Sequence, residues 1–183
     1  MKPCIFTGSA VAIVTPFRAG SIDFNAFDRL VERQIQGGTD AIVVCGTTGE
    51  AATLNYDERM ALIERCVRIV DRRVPVIAGS GTNNTASSVA LSKAAQSAGV
   101  DALLTVTPYY NKASQSGLVQ HFSAIADAVD VPVILYNVPA RTGVGCTVQT
   151  YQALAKHPNI VGVKEASDNF DLIQDTLNLC PPG

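Results

Sequence analysis

The run Ala41-Ile42-Val43-Val44-Cys45-Gly46-Thr47-Thr48-Gly49-Glu50 contains the fold in miniature. Its first half is continuously apolar and rich in β-branched residues. That pattern marks a strand buried on both faces of a parallel sheet; an alternating pattern would mark a half-exposed strand. Its second half is a polar turn flanked by glycines. Five other runs have the same form, at residues 11–17, 75–79, 102–108, 132–139 and 160–167. Together the six recur about every 30 residues, the length of a strand plus a crossover helix.

Helical periodicity fills the gaps. Phe24, Phe27, Leu30, Val31 and Ile35 form one apolar stripe after a cap at Asp23 and before a stop at Gly37-Gly38. Asn55-Tyr56-Asp57-Glu58 has capping-box spacing and opens a helix to about residue 71. Residues 85–98 (ending at Gly99), 117–129, 147–156 and 168–179 complete the set.

Six βα units leave a doubly wound open sheet or a (β/α)8 barrel. A Rossmann-type sheet carries GxGxxG after its first strand, but the first run here ends in Thr15-Pro16-Phe17. Gly79-Ser80-Gly81 is only a lone GxG. Polar and reactive residues gather at the ends of runs two, four, five and six, and chemistry spread over many strand ends is the barrel pattern. The expectation is an α/β fold, a TIM barrel, forming one domain over residues 1–183. Six of its eight units are present, so the domain is incomplete at its C-terminus.

The 183 residues are 47% hydrophobic with a net charge of −2. Scattered Lys and Arg give no basic face for nucleic acid or an anionic membrane. No apolar run approaches the ~18–20 residues of a membrane helix, and the N-terminus lacks the form of a signal peptide. Five dispersed cysteines (Cys4, Cys45, Cys66, Cys146, Cys180) without a CxxC pair fit reduced thiols in a cytoplasm. His121 and His157 fall on helices and read as surface or helix-end residues. No spacing suggests a metal site, and Ser9 has no GxSxG context.

Lys164 closes the run Ile160-Val161-Gly162-Val163, and a period of two puts it on the face of Ile160 and Gly162. On an inward face it would sit among apolar side chains. Burial disfavours a charged ammonium, and a free amine attacks a ketone to form an imine. Taken alone, a lysine at a strand end more often reaches solvent. Gly46–Glu50 could turn backbone N–H groups and the Thr47 and Thr48 hydroxyls toward one carboxylate, or be an ordinary turn. Tyr136 ends run five, where its phenol could pass a proton, and the guanidinium of Arg141 suits a second carboxylate. Packing and solvated-loop readings stay open for both.

Together, GTTGE at 46–50, TPYYNK at 107–112, YNVPARTG at 136–143 and VGVKEAS at 161–167 resemble the dihydrodipicolinate synthase / N-acetylneuraminate lyase superfamily. Order and spacing match over essentially the whole chain. Thr47-Thr48 and the position of Arg141 resemble its synthase branch. The resemblance implies condensation of pyruvate with aspartate semialdehyde to 4-hydroxy-tetrahydrodipicolinate, on the diaminopimelate route to lysine. It implies that Lys164 forms the Schiff base, and that Tyr136, Thr47 and Tyr110 relay protons, Tyr110 across a dimer interface. Thr48 would hold the pyruvate carboxylate and Arg141 that of the semialdehyde. No cofactor is implied, and the oligomer implied is a homotetramer.

Two departures from that pattern stand out. The family continues through two more strands and a helical region, so strands one and six would be open edges here. Lysine-inhibited members have histidines and a glutamate where this chain has Tyr56, Arg59 and Ser87, although Asn83 and Tyr109 match; this implies weak or absent inhibition. Two other readings remain: a sialic acid or keto-deoxy sugar acid aldolase of the same superfamily, and an inactive fragment of the synthase.

Overall fold

In the computed structural model, which describes residues 4–179, the six apolar runs form one parallel sheet. Its strands are β1 (Ala10–Ala12), β4 (Ala41–Val44), β5 (Val76–Gly79), β6 (Ala102–Val106), β7 (Val133–Asn137) and β8 (Ile160–Glu165), adjacent in that order. Cys180 and the Pro181-Pro182-Gly183 end lie outside the described residues. The helices are α1 (Phe24–Gln36), α2 (Tyr56–Val70), α3 (Thr85–Ser97), α4 (Gln115–Asp127), α5 (Pro139–Thr142), α6 (Val148–Leu154) and α7 (Phe170–Leu177). This is an incomplete TIM barrel, with β1 and β8 unpaired on their outer sides among the described residues.

The two faces of the sheet separate by strand parity. Ile42, Val44, Val76, Ala78, Leu103 and Val133 pack with Phe27 and Val31 of α1 and Leu62 and Ile63 of α2. The alternate residues Ala41, Val43, Ile77, Leu104 and Tyr136 form an inner cluster joined by Ile5 and Phe6. Each fully buried Leu, Ile or Phe contributes roughly 1.5–3 kcal/mol. The continuous runs are therefore explained by burial on two sides.

Caps set the helix starts. The Asp23 carboxylate accepts the N–H of Ala26, and Asn55 and Glu58 close both halves of a capping box. The fourth helix begins two residues before the expected position, because the Ser114 hydroxyl accepts the N–H of Gly117 and caps it there. The first strand is shorter than expected. After Ile13, whose N–H still donates to the Val43 carbonyl at 3.1 Å, the chain leaves the sheet, and Phe17 begins a hairpin of β2 (Phe17–Arg18) and β3 (Ser21–Ile22), which sequence reading missed. Ala19 and Gly20 make its tight turn with positive φ.

Gly79-Ser80-Gly81 has a packing explanation. A Cβ on Gly79 would lie 2.0 Å from the Cys45 carbonyl oxygen, and one on Gly81 would lie 2.4 Å from the Val106 nitrogen. These glycines let the ends of three strands converge. His121 corrects the surface reading. It is buried between α3 and α4, its Nδ1 2.9 Å from the Thr85 hydroxyl, because the polar face expected for α4 packs on a neighbouring helix. His157 keeps a helix-end place, its Nε2 3.0 Å from Asp127.

Candidate active site

The polar residues collect where the C-terminal strand ends open onto a cavity of about 790 Å³. Thr47, Tyr110, Tyr136 and Arg141 line it; Thr48 and Lys164 do not. Four of the six expected site residues thus share one cavity.

Tyr136 and Lys164 are brought together separately. They are direct partners across β7 and β8, and the Lys164 ammonium lies 4.5 Å from the centre of the Tyr136 ring. A cation at that distance is attracted by the ring face. Tyr136 is buried, whereas Lys164 is exposed. The expected burial of Lys164 is therefore not observed, because β8 has no neighbour on its far side among the described residues.

The expected face is half right. Val133 pairs with Ile160, but Ile134 pairs with Gly162, so one step along β7 spans two along β8. This bulge shifts the alternation. Gly162 stays on the Lys164 side, while Ile160 packs with the helix-side clusters.

The turn after β4 spends three of its N–H groups on its own carbonyls: Gly49 and Ala51 donate to Gly46, and Glu50 donates to Thr47. The Thr15 hydroxyl anchors it, donating to the Gly49 carbonyl at 2.7 Å. What the turn presents outward is the exposed pair Thr47 and Thr48. Tyr110 is 88% exposed with φ of 73°, and its N–H donates to the Thr142 carbonyl at 3.0 Å. This ties the loop after β6 to α5. Arg141 rides on α5, a helical turn that begins at Pro139 and stops at left-handed Gly143.

The sequence reading did not foresee two placements. Arg59 is buried in the cavity wall; one terminal nitrogen donates to the Ala51 carbonyl, and the other has no partner among the described residues. Behind the strand ends, Asn137, Glu165 and Tyr151 form a hydrogen-bonded group. Glu165 stood in a quoted motif, but nothing local marked Tyr151 as its partner. Burial pushes the thiols of Cys45, Cys66 and Cys146 up to about 12, so they are inert as thiolates. No group of three or more His, Cys, Asp or Glu among the described residues could hold a metal ion. No described helix is long and apolar enough to cross a membrane.

Fold and site define a (β/α)-barrel protein with a lysine and a tyrosine facing each other on adjacent strand ends. Residues 5–183 match the Dihydrodipicolinate synthetase family, and the chain belongs to it. It is 55% identical over 176 residues to a 4-hydroxy-tetrahydrodipicolinate synthase of Geobacter metallireducens, covering 96% of this chain and 61% of that one. The protein of that name from Acetivibrio thermocellus is 47% identical over 182 residues, covering 100% and 62%. The chain thus spans about three-fifths of these relatives. Among solved structures, dihydrodipicolinate synthase from Thermotoga maritima superposes with a TM-score of 0.93 at 45% identity, covering 96% of this chain and 60% of that one. A chloride-inhibited dihydrodipicolinate synthase from Acinetobacter baumannii, complexed with pyruvate, gives 0.93 at 48% identity, covering 96% and 60%.

Proposed function

We propose that this chain carries the imine-forming part of a 4-hydroxy-tetrahydrodipicolinate synthase, a Schiff-base lyase condensing pyruvate with aspartate semialdehyde. The observation that carries this reading is Lys164 beside Tyr136 at adjacent strand ends. The Lys164 amine attacks the ketone carbon of pyruvate. Loss of water leaves an imine, with Tyr136 passing the proton. Thr48 and its turn hold the pyruvate carboxylate. The protonated imine draws electrons from the neighbouring methyl carbon, which loses a proton and becomes a nucleophilic enamine. That carbon bonds to the aldehyde carbon of aspartate semialdehyde, whose carboxylate pairs with Arg141. The substrate's own amine then displaces Lys164 from the imine carbon, closing the ring and freeing the enzyme.

Thr47 and Tyr110 join Tyr136 as the proton relay. The high exposure of Tyr110 supports its reaching a second copy. In this reading the complete protein is a single barrel domain assembled as a cytoplasmic homotetramer, and further strands beside β8 keep water from the Lys164 amine.

Borohydride reduction of the complete protein with pyruvate tests the reading. A covalent adduct on Lys164, absent in Lys164→Ala, is the expected result; an adduct elsewhere, or none, refutes it. A coupled assay favouring sugar acids over aspartate semialdehyde would move the protein to an aldolase branch. Because Tyr56, Arg59 and Ser87 replace the residues of lysine-inhibited members, a lysine titration should leave the rate nearly unchanged.

A further inference from the structure

One rung beyond Tyr136 and Lys164, Asn137 and Glu165 are partners on the same two strands. Side chains alternate along a strand, so this second pair faces the helices. There the Glu165 carboxylate accepts the Asn137 side-chain amide at 2.9 Å and 3.1 Å, one bond to each oxygen. It also accepts the Tyr151 hydroxyl of α6 at 2.5 Å. The Asn137 side-chain oxygen accepts the Cys146 N–H at 3.1 Å, and its backbone carbonyl accepts the Ala166 N–H at 2.8 Å. Asn137 is fully buried and Tyr151 nearly so. Burial first, and the bond to Glu165 second, push the Tyr151 phenol well above its ordinary range, so it remains a donor.

This group sits beside an irregularity of strand register: the β8 bulge lies just before Gly162, and β7 is the one strand partner of β8 among the described residues. A slip of one residue would move Lys164 to the helix side and away from Tyr136. The Glu165 contacts come one residue after the lysine and bind β8 to β7 and α6 at once.

We propose that Glu165, held by Asn137 and Tyr151, is a positioning residue that pins the β8 register and keeps the Lys164 amine facing Tyr136. It rests on the imine-forming reading above. Loss of the pin lowers the rate of amine attack and leaves the carboxylate grip intact.

The test is a quenched borohydride time course on the complete protein. Glu165→Ala should slow adduct formation about tenfold or more at saturating pyruvate, since small misplacements of reacting groups cost that much or more. The pyruvate concentration for half-saturation should change little. Tyr151→Phe keeps the ring and removes one bond; it should slow the adduct severalfold while circular dichroism stays native. If Glu165→Ala does not fold, Tyr151→Phe decides. Folded variants that trap pyruvate at the parent rate, with only a lowered melting temperature, would overturn the proposal. So would a loss confined to half-saturation. If Lys164→Ala forms no adduct and the Glu165 and Tyr151 variants behave as the parent, the positioning role alone fails. If Lys164→Ala still forms one, the imine reading fails and the positioning role with it.

Discussion

Two residues show how the packed surroundings, rather than the position in the sequence, decide a side chain's exposure. Lys164 lies at a strand end, as its sequence position suggests, but its surroundings come from a neighbouring strand. His121 was expected on a surface and is enclosed instead. Its pKa is lowered by burial, and its other ring nitrogen has no partner among the described residues. Thr85 and the edge-on ring of Phe122 face it. The folded state therefore resists protonation while the unfolded chain accepts it at the ordinary value of 6.5. Stability is fully present above that value and is lost as pH falls through the lower folded value. Melting curves from pH 7.5 down to about 5 should show a steeper loss for the parent than for His121→Gln. Equal slopes would show that His121 does not carry the effect.

At the scale of elements, the convergence of strand ends is the governing constraint. β4, β5 and β6 approach so closely at their C-terminal ends that only glycine fits at 79 and 81. Gly79→Ala should destabilise the protein by roughly 1–3 kcal/mol, the usual cost of overpacking. The Cys45 carbonyl that the new methyl would strike belongs to the backbone and can yield only by moving the turn that holds Thr47 and Thr48. Urea denaturation measures the stability loss, and pyruvate trapping measures the effect on the turn. A variant as stable as the parent would show that the strand ends relax apart cheaply.

At the scale of the whole molecule, the incomplete barrel has two sheet edges, β1 and β8, that are unpaired on their outer sides among the described residues. β8 is far less buried than the central strands; its Val161 is exposed, as are Phe170 and Leu177 of α7, the helix that follows it. Unpaired edges recruit other chains. The 183-residue chain on its own should associate as its concentration rises, and lysine substitutions at Val161 and Phe170 should reduce this. Light scattering checks it; a monomer at all concentrations would show that the edges are protected. Much of this architecture was legible beforehand. Double-sided burial leaves a continuous apolar run and capping leaves a short polar signature, so runs and caps reported the strands and helices. The bulge at Val161 left no such mark, because a register shift depends on the partner strand. Nor did the α6 hydroxyl on Glu165, since the two residues meet only when the helix folds back.

By itself the sequence determined the order of the six parallel strands and the helices between them, the burial of the central strands on both faces, and the gathering of polar residues at the strand ends. Those features follow from periodicity and capping, which act within a few residues. Only the tertiary structure decided that Lys164 is exposed, that Thr47, Tyr110, Tyr136 and Arg141 share a cavity, and that Glu165 joins three elements. Each of those depends on contacts between residues distant along the chain, and such contacts exist only once the elements have packed.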